Sequence, residues 1–155
     1  EYFDNYYSKK FSNLRNLRLN ILEIGVANGN SLEMWAEYFP FSQIYGIDIK
    51  NTSYKPSNSR INVIIGDATD QETFKNLNRF HIVIDDGSHA ITDQVLSYAV
   101  LFHRLIKNGI YVIEDVKDID LNYQVFKKLH HSAIIYDFRK IKNRDDDVIV
   151  EITNK

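Results

Sequence analysis

Short apolar runs that end in acids recur along this chain, and they constrain the fold more than any other feature. Ile21, Leu22, Ile24 and Val26, with Glu23 among them, run into Gly25-Val26-Ala27-Asn28-Gly29. Gln43–Ile47 ends in Asp48, and Ile61–Ile65 ends in Gly66-Asp67-Ala68. His81–Ile84 ends in Asp85-Asp86-Gly87-Ser88-His89, and Ile110–Ile113 ends in Glu114-Asp115. Short β-branched runs bounded by turn residues are the mark of strands buried on both faces.

The segments between the runs carry helical spacing. Tyr2, Phe3, Tyr6, Tyr7, Lys10, Phe11, Leu14 and Leu17 give an amphipathic N-terminal helix with an aromatic face, within residues 1–18. It is expected to pack on the core, with a lid over a cofactor as the alternative. Leu32–Phe39 is the next helix, capped by Asn30 or Ser31. Asn51–Arg60 is polar, holds Pro56, and reads as a loop or a short irregular helix. A short helix spans Asp70–Leu77. Ile91, Val95, Leu96, Ala99, Phe102, Leu105 and Ile106 trace one face of a long helix that Thr92 caps and Asn108-Gly109 stops. Asp120–Leu129 is a further helix. Ser132–Phe138 and Asp147–Ile152 close the chain as a hairpin across the charged loop Arg139–Asp146. The pattern predicts an α/β, Rossmann-like, doubly wound sheet of seven strands, mostly parallel, with an antiparallel last strand. It is read as a single domain over residues 1–155. The chain starts at Glu1 inside a helical pattern, so the natural protein is expected to continue upstream.

Bulk composition narrows the function. At 155 residues and 44% hydrophobic, the chain has enough apolar surface for a packed core. A net charge of −2 gives no footprint for nucleic acid or an anionic membrane. With no cysteine, disulfides, thiolate zinc sites and cysteine nucleophiles are excluded, and a reducing, cytoplasmic setting is compatible. No apolar run approaches the roughly 20 residues that a membrane helix needs.

In an open α/β sheet, ligands bind beyond the carboxyl ends of the strands. The first loop has glycines at Gly25 and Gly29, G-x-x-x-G rather than the dinucleotide pattern G-x-G-x-x-G, which suits a ligand without phosphates to cradle. Asp48 has the position to accept hydrogen bonds from a ribose diol, or is a turn residue. Asp67 could meet an adenine amino group or cap a helix. Asp85, Asp86, Glu114 and Asp115 would converge if the fourth and fifth strands are neighbours. Four carboxylates in one crevice repel, so protons or a cation must offset them. Hard oxygen donors suit magnesium, manganese or calcium; the bland alternative is a turn at Asp86-Gly87 and a cap at Asp115. His89, three residues after Asp86, is placed to take a proton near neutral pH. His81, His103, His130 and His131 are expected to be structural.

Leu22-Glu23-Ile24-Gly25-Val26-Ala27-Asn28-Gly29, with Asp48, Gly66-Asp67-Ala68 and the apolar fourth strand, resembles a class I S-adenosylmethionine-dependent methyltransferase. Asp86-Gly87-Ser88-His89 with Glu114-Asp115 resembles, more narrowly, the metal-dependent sugar O-methyltransferases of macrolide biosynthesis. The resemblance implies S-adenosylmethionine and Mg2+ (or Mn2+) as cofactors and a small-molecule acceptor, such as a sugar, as partner, with a homo-oligomer possible. It implies that Glu23, Gly25, Gly29, Asp48, Asp67, Ala68 and Asp85 surround the methyl donor. Asp86, Glu114 and Asp115 are the implied metal ligands, and His89 the general base. The alternatives are a nicotinamide-dependent oxidoreductase on the same fold and a cofactor-binding domain without turnover.

Overall fold

A sheet of seven strands in the order β3-β2-β1-β4-β5-β7-β6 organises the chain. The computed structural model describes residues 2–155, without the side chain of Lys142. Glu1, and with it the reading that the chain starts inside a helix, lies outside the described residues. The strands are β1 (Asn20–Ile24), β2 (Gln43–Asp48), β3 (Ile61–Ile65), β4 (Phe80–Asp85), β5 (Leu105–Ile113), β6 (Ile134–Asp137) and β7 (Val148–Thr153). All neighbours pair in parallel except β7, which is antiparallel to both β5 and β6. The order reverses between β1 and β4, so the loops leaving these two strands diverge and open a crevice. Among the described residues no helix is long and apolar enough to cross a membrane.

Period-two alternation divides the strands between two apolar layers. Ile21, Ile82, Ile84, Ile110, Val112 and Ile149 face the N-terminal helix and α2 (Asn30–Tyr38). Leu22, Ile24, Val83, Tyr111, Ile113, Val148, Val150 and Ile152 share the opposite layer with Tyr98 and Leu101 of α3 (Ile91–Leu101) and Phe126 of α4 (Ile119–Leu129). The first layer is aromatic. Tyr7 meets Trp35 edge-on at 4.9 Å between ring centroids, and Phe11 lies 5.9 Å from Phe39. Its strands also project glutamates. Glu23 accepts from Trp35 Nε1 at 2.6 Å, and Glu151 accepts from Tyr6 at 2.7 Å and pairs with Lys10. Tyrosine and tryptophan suit this layer because each buries a ring and still offers a polar tip.

Several local expectations are corrected. The N-terminal helix does not reach Leu17: a π-helical turn, Phe3–Tyr7, runs into α1 (Ser8–Lys10), which stops at Phe11. Burial of Phe11 in the aromatic layer takes the chain out of the helix there, and Leu17 is exposed. β1 ends at Ile24, and Val26 is buried in the loop beyond. Neither Asn30 nor Ser31 caps α2, because Gly29 occupies the cap with φ +80° and the Ser31 hydroxyl goes to Glu23. Asp70–Leu77 is reduced to a 3-10 turn, Gln71–Phe74, capped by Asp70. Thr92 lies inside α3, whose cap is Ala90, and Leu105 and Ile106 belong to β5 rather than to the helix. The buried face of α3 is Gln94, Ser97, Tyr98 and Leu101, while Leu96 and Ala99 are exposed. Gln94 is drawn inward by a polar partner that hydropathy does not register, the Glu114 carbonyl, and Ser97 borders a cleft. The closing hairpin forms with a short helix, α5 (Arg139–Lys142), in its connection.

Candidate active site

Three strand ends are knitted together by backbone hydrogen bonds at the crevice. The Asp86 N–H donates to Ile24 O at 3.0 Å, and the Glu114 N–H donates to Asp85 O at 2.9 Å. Gly25, at φ +93°, lets the β1 and β4 loops touch: a Cβ there would stand 2.3 Å from Asp86 O. A cleft of about 1030 Å³ opens above this junction. Its walls come from the loops after β1, β2, β3 and β4 and from Asp93 and Ser97 of α3.

Gly25, Asp48, Asp67, Ala68, Asp85 and Asp86 line the cleft. Asp48 braces the first loop. Its Oδ2 accepts the N–H groups of Val26 and Ala27 at 3.0 and 3.3 Å, and its Oδ1 that of Lys50 at 2.9 Å. Partial burial opposes ionisation, but those amides outweigh it and hold the carboxyl below its ordinary value. Asp67 accepts from the Thr69 hydroxyl and N–H at 2.7 and 2.8 Å, which lowers it likewise. Asp85 is buried on the opposite layer; burial pushes its carboxyl up to about 7 although the Gly87 N–H and the Tyr111 hydroxyl donate to it.

Glu23 and Gly29 are not among the lining residues. Glu23 lies beneath the floor, 1% exposed, held by Ser31 and Trp35; burial pushes it up to about 8. Gly29 makes room for Tyr54, whose ring a Cβ would meet at 2.3 Å.

Beside the cleft, Asp86, His89 and Asp115 each offer a ligand atom, all within 4.8 Å of one another. His89 Nε2 lies 4.0 Å from Asp86 Oδ1, and its Nδ1 is buried without a hydrogen-bond partner. His89 and Asp115 both sit at positive φ, +56° and +48°, so both turns are bent to bring these side chains in. Burial first, then the charge of Asp115, raises Asp86 to about 6, while His89 acts to lower it. Glu114 stands apart from the cluster in its contacts: its Oε1 accepts the Tyr7 hydroxyl. It shares the enclosure, since burial and the charges of Asp86, Glu23 and Asp115 push its carboxyl well above the ordinary value. Oxygens of Asp86 and Glu114 that resist ionisation, the Asp115 carboxylate beside Asp86, an unpartnered imidazole nitrogen and hard donors without sulfur fit a small divalent cation.

Four contributors escaped the sequence reading. Tyr2 donates to Asp115 Oδ1 at 2.7 Å and Tyr7 to Glu114; burial, followed by the neighbouring acids, raises both phenols far above their usual range, so both keep their protons. The Gln94 side-chain amide donates to Glu114 O at 3.1 Å. Tyr111 donates to Asp85 Oδ2 at 3.3 Å. Tyr111 left a signal as the polar-tipped residue in the otherwise apolar run Ile110–Ile113, and Tyr2 and Tyr7 only as part of the aromatic face of the N-terminal helix.

This arrangement has relatives. The family described as FtsJ-like methyltransferase matches residues 6–144. The chain is 40% identical over 126 residues to mycinamicin VI 2''-O-methyltransferase of Micromonospora griseorubida, covering 74% of this chain and 31% of that protein. It is 36% identical over 126 residues to demethylmacrocin O-methyltransferase of Streptomyces fradiae, covering 74% and 32%. The chain therefore spans about a third of the length of the curated relatives it matches. Among solved structures, the MycE methyltransferase from the mycinamycin biosynthetic pathway, in complex with Mg and SAH, superimposes with a TM-score of 0.79 at 27% identity, over 100% of this chain and 50% of that one. Neither the nicotinamide-dependent alternative nor the silent domain is favoured by these matches. With its strand order, its crevice and a family match over most of its length, the chain belongs to the FtsJ-like methyltransferases.

Proposed function

We propose that this chain is the methyltransferase domain of an S-adenosylmethionine-dependent, divalent-metal-assisted O-methyltransferase that acts on a hydroxyl of a sugar or another small molecule. The gathering of Asp86, His89 and Asp115 beside the cleft, which Asp86 lines, carries the reading. Its relatives are named as sugar and macrolide O-methyltransferases, and the MycE structure holds Mg and SAH.

In this reading the donor lies across the ends of β1 to β4. The Gly25 loop would back its amino-acid end, Asp48 would accept from the ribose hydroxyls, and Asp67 with Ala68 would border the adenine. Asp85 closes the floor. Asp86, Glu114 and Asp115 would hold Mg2+ or Mn2+; when bound, the ion supplies positive charge that orients an acceptor hydroxyl and lowers its pKa. His89 would take the hydroxyl proton as the oxygen attacks the methyl carbon, and the C–S electron pair would leave with the thioether product. The sulfonium already activates the methyl group, so alignment and charge are what the protein contributes. A small acceptor suits the charge better than nucleic acid does. Asp48, Asp67, Asp86 and Asp93 line the cleft against Lys50, an acidic balance that disfavours a phosphate backbone. Action in the cytoplasm suits the same reading.

The test is methyl transfer from labelled S-adenosylmethionine to a panel of glycosides, with Mg2+ and after chelation, beside calorimetry with S-adenosylhomocysteine and NAD. The expected result is binding of S-adenosylhomocysteine but not NAD, and transfer that stops without metal. His89→Ala should lower turnover about 10²–10⁴-fold while leaving S-adenosylhomocysteine affinity unchanged. Transfer that survives full metal removal overturns the metal role.

A further inference from the structure

The N-terminal helix touches the acids more specifically than core packing requires. Tyr7 donates its hydroxyl to Glu114 Oε1, and Tyr2 donates to Asp115 Oδ1 at 2.7 Å. These contacts bridge 107 and 113 residues of sequence. Tyr6, between them on the same helix, goes elsewhere: it donates to Glu151 Oε2 at 2.7 Å on β7. Ring packing alone would be served by phenylalanine, which stands at positions 3 and 11 of the same segment. The hydroxyls therefore serve the carboxylates.

Each contact fixes one oxygen of its carboxylate and so limits rotation about the terminal bond. The backbone beneath is fixed as well. The Gln94 amide holds Glu114 O at 3.1 Å, and Asp115 sits at φ +48°. A carboxylate held at one oxygen and at its backbone presents the other oxygen with little freedom left to lose. Such outer contacts, which orient a ligand without touching the ion, typically change metal affinity 10–100-fold when removed.

We propose that Tyr7 and Tyr2 are positioning residues for Glu114 and Asp115, and that through them the N-terminal helix sets the affinity of the site for divalent metal. This rests on the metal reading given above. Neither tyrosine is a ligand or a proton carrier in it.

The experiment is titration of the metal-free full chain with Mn2+ alone, followed by electron paramagnetic resonance, for the parent and for Tyr7→Phe, Tyr2→Phe and Tyr6→Phe. Tyr7→Phe and Tyr2→Phe should each weaken Mn2+ binding about 10–100-fold, with Tyr6→Phe within about twofold of the parent. S-adenosylhomocysteine affinity, measured by calorimetry, should be unchanged in all of them. Should Tyr7→Phe fail to fold, Tyr2→Phe, at the partly buried end of the helix, carries the test. Mn2+ affinities equal to the parent in the folded variants overturn the inference. So does equal weakening in Tyr6→Phe, which would trace the effect to helix docking in general. A parent chain that binds no Mn2+ overturns the metal reading itself, and the inference with it.

Discussion

Gly25 carries more constraint than its size suggests. It sits at φ +93° against the Asp86 carbonyl, at the point where the β1 and β4 loops part. A side chain there meets backbone rather than a movable side chain, so one of the two loops must shift. Gly25→Ala should destabilise the fold by about 1–3 kcal/mol from the backbone conformation alone, read from urea unfolding, and should lose S-adenosylhomocysteine binding in calorimetry. Glu23 lends itself to a second measurement. Burial raises it from 4.5 to about 8, so the folded chain keeps a proton there that the unfolded chain releases above pH 4.5. Stability attributable to this group is full below that value, falls as pH rises and levels off above about 8. The loss is on the order of a few kcal/mol, and Glu23→Gln should remove that slope from the unfolding midpoint measured across the same pH range.

Among the elements, the N-terminal helix couples core and site. Phe11, Trp35 and Phe39 form its apolar footing, and Tyr2, Tyr6 and Tyr7 carry polar tips to Asp115, Glu151 and Glu114. Phe11 is wholly buried where the helix ends. Phe11→Ala should therefore cost about 3–5 kcal/mol in chemical denaturation, through lost transfer energy and the cavity left behind. Helix α3 acts from the opposite layer. Its Gln94 holds the Glu114 carbonyl, and its Tyr98 packs edge-on against Tyr111, 5.4 Å between centroids, beneath Asp85. The acids at the ends of β4 and β5 are thus held from both sides of the sheet.

At the scale of the whole molecule, stability and function oppose each other at one place. Glu23, Asp85, Asp86 and Glu114 are all pushed up by burial, so each is less stable ionised here than in water. Concentrating them where the strand order reverses weakens the free chain, and in the proposed reading a cation held by Asp86 and Glu114 would offset part of that cost. Mg2+ at about 100 times its dissociation constant should raise the unfolding free energy by about 2.7 kcal/mol, seen as an upward shift of the thermal midpoint that EDTA reverses. An unchanged midpoint at saturating Mg2+ would count against the site.

The sheet and the acids at its carboxyl ends were legible in the residues, because a β-branched run, its bounding turn and the helical spacing beyond it are local signals. Ile82-Val83-Ile84 before Asp85-Asp86, and Ile110–Ile113 before Glu114-Asp115, place those acids at strand ends; that the two strands are parallel neighbours was a condition the sequence left open and the sheet order met. Which acids line the cleft was not local. Asp48, Asp67 and Asp85 border it, while Glu23 turned under the floor because its place on β1 points it into the layer that Trp35 fills. The helix ends were likewise set from afar, by burial of Phe11 and by recruitment of Leu105 and Ile106 into β5. The tyrosine partners of Glu114 and Asp115 lie more than a hundred residues away, and no spacing rule links them. Periodicity encodes which side of an element is buried; only packing of the finished sheet against its helices decides which polar tip meets which carboxylate.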